Sequence, residues 1–290
     1  LVTRHGNKEA QREKHLVLVH GAGHGAWCWY GVATLLKSSG HKVTALDMAA
    51  SGVHPKQAKE LNSIVEYAEP LFEFLEGLPQ EEKVILVGHS IRGLVLSMAM
   101  ERFPEKVDVA VFAADLMPGP ELGFHSTLEE HDRRLDFSMD SAYAFDDGPA
   151  QPPTSLFFEY NLLSSRLYQL SPPEPMTLAS YLGWPFCLYP DQDKMEKEMA
   201  VTKDRYGLVR KVYIVCDQDL LIMIGLQRWM VEMNAPDEMK VISSSYHMVM
   251  FSKPLEPCAS LEEIGQHYCY LRFVTQVEFF SSNMNNKVDE

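Results

Sequence analysis

Val84-Ile85-Leu86-Val87-Gly88-His89-Ser90-Ile91-Arg92-Gly93, running on through Leu94 to Arg102, is the stretch that decides the fold. Four apolar residues in a row, closed by glycine, read as a strand buried on both faces. From Leu94 onward the pattern is helical. A serine between the two stands on a sharp strand-to-helix turn. Such a turn lifts the hydroxyl above the sheet edge. It also aims the next helix's N-terminus at the site, where N–H groups and the helix dipole favour an oxyanion. Ser90 is therefore the candidate nucleophile; the plainer alternative is a serine that caps a helix.

The same punctuation extends outward on both sides. His15 to His20 and Val43 to Asp47 read as earlier strands, separated by a helix over about Ala26 to Ser39 that Gly40 closes. Leu61 to Leu78 carries apolar residues at helical spacing, and Val107 to Ala113 is a fourth strand. Strand, helix, strand, helix with buried strands implies an α/β fold: a mostly parallel sheet covered by helices on both faces, with right-handed crossovers. From Pro118 to Pro190 the text turns rich in Pro, Met and aromatics without strand alternation, which reads as an inserted cap. Alternation returns at Val212 to Val215, with a helix over about Leu226 to Asn234, a strand at Lys240 to Ile242 and a last helix from Leu261 to His267. The expected organisation is a polar tail over 1–14, a core over 15–117 and 196–270, a cap over 118–195 and a loose tail over 271–290.

Composition narrows the function. With 26 Lys and Arg against 40 Asp and Glu, the net charge of −14 argues against nucleic acid and anionic membranes as partners. The five cysteines form no CxxC or Cys/His cluster, so neither a disulfide framework nor a zinc site is expected, and the default compartment is the reducing cytoplasm. No apolar run approaches the roughly 18 residues of a membrane span. The start is charged and lacks a signal peptide's apolar stretch. Nothing in the pattern calls for a cofactor or metal. The reading leaves a homodimer open.

A serine hydroxyl needs a base, and in this kind of fold the chain order is Ser, acid, His. His247, in the loop after the last strand, is the candidate base. Three acids compete to orient it: Asp217 and Asp219 after the Val212 strand, and Asp115 at the end of the fourth strand. The oxyanion hole needs two N–H groups. Ile91, next after the nucleophile, supplies one, and Ala22 in the small-residue loop His20-Gly21-Ala22-Gly23-His24-Gly25 supplies the other. That loop does not complete GxGxxG, so a dinucleotide site is not expected.

Several longer stretches resemble one family. LVLVHGAGHGAWCWY at 16–30, GHKVTALDMAASG at 40–52, EKVILVGHS at 82–90, LYQLSPPE at 167–174, RYGLVRKVYIVCDQD at 205–219, QRWMVE at 227–232 and HMVMFSKP at 247–254 are similar to the plant methylesterases, a group of α/β-hydrolases that also contains hydroxynitrile lyases. The resemblance covers about 15 to 270. It implies the α/β-hydrolase fold, Asp219 as the acid, and hydrolysis of small methyl esters of the methyl salicylate, methyl jasmonate or methyl indole-acetate type. It implies a methyl ester or free acid as partner, held by Ala22, His89 and Ile91 under cap residues such as Leu156, Phe157, Phe158, Tyr160 and Leu182. The lyases typically carry Thr after the first-strand His and Lys after the catalytic His; here those positions are Gly21 and Met248, which are esterase-like.

One position departs from the family's Gly-His-Ser-x-Gly-Gly turn: Arg92 stands where a glycine is usual. An arginine there is expected either to snorkel outward or to push the turn out of shape. If it displaced the Ile91 N–H, the rate would fall by roughly 10²–10³. The alternative function is then a weak or inactive homologue that binds small carboxylic acids. Leu220 and Ile222-Met223 after Asp219, and the tail beyond 271, are smaller departures.

Overall fold

The structure, a computed structural model, describes residues 13–134, 141–189 and 191–268. The expected tail over 271–290, and all but the last two residues of that over 1–14, lie outside the described residues.

Six strands form one parallel sheet: β1 (His15–Val19), β2 (Lys42–Leu46), β3 (Val84–Ser90), β4 (Val107–Asp115), β8 (Arg210–Cys216) and β9 (Glu238–Ile242), in the order β2-β1-β3-β4-β8-β9. The period-2 alternation of each strand divides the core in two. Val17, Val19, Val84 and Leu86 pack on one face with helices α2 (Ile64–Glu76) and α3 (Gly93–Arg102). Leu16, Leu18, Ile85 and Val87 pack on the other with α1 (Tyr30–Ser38) and the helix over 255–268. Both faces are covered, which is why the strands read as unbroken apolar runs rather than alternating ones.

The long helix expected from Leu61 begins at Ile64, because the Ser63 hydroxyl accepts the Glu66 N–H at 3.2 Å and fixes the start there. The helix after β1 opens as a 3-10 turn over Ala26–Trp29 before α1, and Gly40, at φ +88°, ends it in the left-handed region that glycine tolerates.

Between β4 and β8 the chain leaves the sheet. It forms α4 (Phe124–Arg134), then β5 (Ser141–Ala144), β6 (Ser155–Phe158), α5 (Tyr160–Leu162), α6 (Pro173–Leu182), β7 (Phe186–Cys187) and α7 (Gln192–Glu198). The strands β5, β6 and β7 pair as a small antiparallel sheet. The sequence reading had no strands here. The four residues of β5 lie mostly in solvent and β7 has two residues, too few to express a period. The chain then completes the core with α8 (Ile224–Met233) and α9 (Val249–Ser252).

Candidate active site

β3 delivers Ser90 at φ +70°, a left-handed conformation that costs a residue with a side chain about 1–3 kcal/mol. The neighbours hold it there. The Ser90 carbonyl accepts the Leu116 N–H at 2.7 Å, and the Asp115 carboxyl accepts the N–H groups of Gly93 at 2.6 Å and Leu116 at 2.9 Å. Asp115 thus caps α3 from the neighbouring strand, since Arg92 at the N-cap position supplies no capping side chain. Two glycines make the turn possible. A Cβ on Gly93 would run into the Leu116 carbonyl, and one on Gly88 would lie 2.7 Å from Asp115 and Leu96.

The sequence-level expectation for Arg92 fails on both branches. Its side chain does not snorkel outward: Arg92 is 5 % exposed, with its guanidinium 4.1 Å from the centre of the Tyr67 ring. The turn keeps its serine geometry as well. The positions that cannot bear a side chain are 88 and 93, whereas the side chain at 92 reaches the Tyr67 ring of α2.

His247 comes back over the sheet edge on the loop after β9. The Ser245 N–H meets Asp217 at 3.3 Å and the Gln218 N–H meets the Ser245 carbonyl at 2.8 Å, tying that loop to the one after β8. His247 Nε2 lies 2.9 Å from Ser90 Oγ, and its Nδ1 lies 2.8 Å from Asp219 Oδ2. Of the three candidate acids, only Asp219 touches His247. Its other oxygen accepts the N–H groups of Leu221 at 2.7 Å and Ile222 at 2.9 Å. Buried Gln227 staples this loop to β8: it accepts the Cys216 N–H at 3.0 Å and donates to the carbonyls of Cys216 at 2.9 Å and Ile222 at 2.6 Å. Ser90, Asp219 and His247 are all buried.

The loop 20–25 carries two histidines whose part the sequence reading missed. His20 Nδ1 lies 2.8 Å from the Gly21 carbonyl while its Nε2 accepts the Met48 N–H at 3.2 Å, so the proton sits on Nδ1. Holding the Gly21 carbonyl fixes the Gly21–Ala22 peptide, whose N–H points the opposite way in a trans unit. His24 Nδ1 does the same to the Ala22 carbonyl at 2.7 Å, and its Nε2 meets the Tyr168 hydroxyl at 2.6 Å. Burial, reinforced by the Arg92 charge, pushes His20 down to about 3; burial above all lowers His24 to about 4. Both rings are therefore neutral scaffold. Among the described residues no protein acceptor takes the N–H of Ala22 or Ile91. The signal was in the text, since a histidine at each end of a glycine loop is unusual for a turn that needs only small residues.

The predicted lining divides. Leu156 and Phe158, on the inward face of β6, are buried, and Phe158 lies against Gly23, where an added Cβ would meet its ring at 3.1 Å. Tyr160 is corrected: it is 68 % exposed on α5, past the end of the strand whose alternation would have turned it inward. Leu182 is likewise exposed, and Phe157 is half-buried beside Gly183. His89 is buried. Its Nε2 donates to the His247 carbonyl at 2.7 Å, and its Nδ1 faces Gly21, leaving no room for a side chain there. A surface cleft between the Leu61–Ser63 turn and the cap is lined by Asp146, Asp147 and Tyr189 but by none of Ser90, Asp219 and His247. Among the described residues no cluster of His, Cys, Asp or Glu could hold a metal ion, and no helix is long and apolar enough to cross a membrane.

A strained serine at a strand end, under a parallel sheet's carboxyl edge, with histidine and acid returned by later loops, defines the class of α/β-hydrolases. The family model described as "Alpha/beta hydrolase family" matches residues 16–261. The chain belongs to that family and, within it, to the plant methylesterase group. It is 53 % identical over 259 residues to methyl jasmonate esterase 1 of Vitis vinifera, covering 89 % of this chain and 99 % of that protein. Among solved structures, tomato methylketone synthase I complexed with 2-tridecanone superposes with a TM-score of 0.85 at 43 % identity, over 89 % of this chain and 99 % of the other. Polyneuridine aldehyde esterase superposes with a TM-score of 0.81 at 35 % identity, over 87 % and 99 %.

Proposed function

We propose that the chain is a serine carboxylesterase acting on small methyl esters in the cytoplasm. The observation that carries this is the unbroken relay Asp219 Oδ2, His247 Nδ1, His247 Nε2, Ser90 Oγ, with links of 2.8 and 2.9 Å. Asp219 keeps the imidazole proton on Nδ1, leaving Nε2 free to accept. Ser90 Oγ attacks the ester carbonyl as its proton passes to Nε2. The resulting oxyanion rests on the N–H groups of Ala22 and Ile91. Collapse breaks the bond to methoxide, which leaves as methanol with the proton from His247. Water then attacks the acyl-serine through the same base, and the free acid departs.

Two further observations support this reading over its rivals. The elbow around Arg92 retains its hydrogen bonds, which counts against an inactive binder. The space at Gly21 is closed by His89 Nδ1 at 2.9 Å and Ser90 Cβ at 3.0 Å, which counts against the threonine a lyase would place there. The methyl jasmonate esterase relative favours a cyclic oxo-acid ester as first substrate to try. The test is acid release from methyl jasmonate, methyl salicylate and methyl indole-acetate by the purified protein, with Ser90→Ala in parallel. Turnover of an ester that vanishes in Ser90→Ala is expected; turnover that persists, or none with any ester, would reject the assignment.

A further inference from the structure

The stretch LYQLSPPE at 167–174 takes no part in the chemistry above. Its tyrosine is delivered by a π turn over Leu163–Leu167, which the Tyr168 N–H closes on the Leu163 carbonyl at 2.8 Å. Such a turn holds one residue more than an α turn and so re-aims the side chain that follows it. The Ser171 N–H, 2.8 Å from the Tyr168 carbonyl, then turns the chain into α6. Tyr168 is buried, with its hydroxyl 2.6 Å from His24 Nε2. The roles in this contact are fixed. A carbonyl only accepts, so His24 Nδ1 carries the proton that it gives to Ala22 at 2.7 Å. Burial keeps the ring neutral, so Nε2 accepts and Tyr168 donates.

Three successive carbonyls of the loop 20–25 are thereby held: that of Gly21 by His20, that of Ala22 by His24, and that of Gly23 by the Trp184 N–H at 3.1 Å. Their holders are anchored in different places. His20 rests on the Met48 N–H, behind the sheet edge, whereas His24 rests on Tyr168 of the cap, and Trp184 is itself a cap residue. Ala22 therefore stands between one peptide held from the core and another held from the cap. Ring contacts repeat the tie. His24 meets Trp27 at 5.4 Å between ring centres, Trp27 meets Phe251 at 6.3 Å, Phe251 meets Tyr168 at 5.8 Å, and Tyr168 returns to His24 at 5.9 Å. Phe251 lies in α9, directly after His247. This closed group of four rings joins the loop 20–25, the cap and the segment that carries the base.

Resting on the esterase reading, we propose that Tyr168 is a positioning residue: through His24 it fixes the backbone at Ala22, so that the cap, and not the core alone, aims the Ala22 N–H at the oxyanion. The ring and the hydroxyl have separate duties, and Tyr168→Phe keeps the first while removing the second.

The experiment measures kcat and KM for the best methyl ester, and inhibition by hexyl trifluoromethyl ketone, in the wild type, Tyr168→Phe, His24→Asn and the double variant. Ser90 Oγ adds to the ketone carbon, its proton passes to His247 Nε2, and the carbonyl oxygen becomes an alkoxide where the ester's oxyanion would lie. Tyr181→Phe, which alters an exposed cap tyrosine, is the control. Tyr168→Phe should lower kcat about tenfold, short of the roughly 10²–10³ that loss of an oxyanion donor costs, with KM nearly unchanged. The ketone's inhibition constant should rise by the same factor. His24→Asn retains a donor at the Nδ1 position but ends short of Tyr168, so adding Tyr168→Phe to it should cost nothing more. A loss below about twofold in Tyr168→Phe, a loss carried in KM, an unchanged inhibition constant, or additive losses in the double variant overturns the proposal. If His24→Asn does not fold, the amide NMR peak of Ala22 decides: it should shift in Tyr168→Phe and stay in place in Tyr181→Phe, and an unmoved peak in Tyr168→Phe refutes the tie. If the wild type cleaves no ester, the esterase reading fails, and the same peak still shows whether Tyr168 sets the backbone at Ala22.

Discussion

Asp219→Asn tests the site where its logic is most exposed. The two carboxylate oxygens have different duties. Oδ1 accepts two backbone N–H groups, from Leu221 and Ile222, whereas Oδ2 faces only His247 Nδ1. An asparagine of the same shape must place its NH₂ in one of these positions. At Oδ1 it would oppose two donors with two more, so it is driven to Oδ2. There it donates to His247 Nδ1, which must give up its proton and become an acceptor. The ring proton moves to Nε2 and points at Ser90 Oγ, 2.9 Å away, where an empty lone pair is required. Every backbone bond of the loop survives, so the fold should be nearly untouched, yet the base is held in its useless tautomer.

This substitution in a Ser–His–Asp triad lowers kcat by about 10⁴, or about 5 kcal/mol of transition-state stabilisation. The assay is kcat/KM for the best methyl ester, with a urea melt on the same sample. Asp217→Asn is the control, because Asp217 touches only the Ser245 N–H and should cost a few-fold at most. A loss below tenfold in Asp219→Asn with an unchanged melt would mean that His247 does not depend on Asp219 for its tautomer, and the relay would have to be abandoned.

Gly93→Ala should fail to give folded protein or lose at least about 4 kcal/mol, since its methyl would occupy the Leu116 carbonyl; a urea melt within 1 kcal/mol of wild type would contradict this. Gln227→Leu removes the partner of the Cys216 N–H and of the Ile222 carbonyl and leaves the Cys216 carbonyl with the Asp219 N–H at 3.4 Å, and should cost about 3 kcal/mol in the same melt together with a lower kcat from a loosened acid loop. The pH dependence follows from buried groups of opposite sign. Below about pH 6.5 the unfolded chain protonates His20, His24 and His89 while burial keeps them neutral in the folded chain, a difference of up to three protons; Asp115, whose carboxyl burial raises, works in the opposite direction. The unfolded state then holds up to three more protons, so stability should fall by up to about 4 kcal/mol per pH unit on acidification from 6.5 toward 4. Urea midpoints at pH 5.5, 6.5 and 7.5 check this, and a flat profile between 5.5 and 6.5 would refute it.

What could be read beforehand tracks how locally each feature is encoded. The sheet strands were legible because burial on both faces writes an apolar run, and Ser90 because its turn follows such a run directly. The acid was not legible from position: Asp115, Asp217 and Asp219 all end strands at the same sheet edge. Family resemblance pointed to Asp219, and the geometry shows why the others are occupied, Asp115 with α3 and Asp217 with Ser245. The cap strands escaped because two to four residues carry no measurable period. Arg92 was misjudged because its partner, Tyr67, lies on a different helix. A rule for the local turn could weigh only snorkelling or strain, not a stacking surface 25 positions earlier in the chain.

Four buried histidines crowd this site, and residue type does not separate the catalyst from the scaffold. His20 and His24 each donate Nδ1 to a backbone carbonyl of the loop 20–25, and His89 donates Nε2 to the carbonyl of His247 itself. Burial above all lowers all three rings, so that they stay neutral although each carbonyl partner favours the charged form. Of these four, only His247 has a carboxylate on one nitrogen and a hydroxyl on the other. A carboxylate can stabilise the imidazolium that proton transfer creates, whereas a carbonyl dipole in a dry site only fixes a tautomer. The distinction between base and brace therefore lies in the partner. Exchanging Asp219 for a neutral group should turn the fourth histidine into another member of the scaffold.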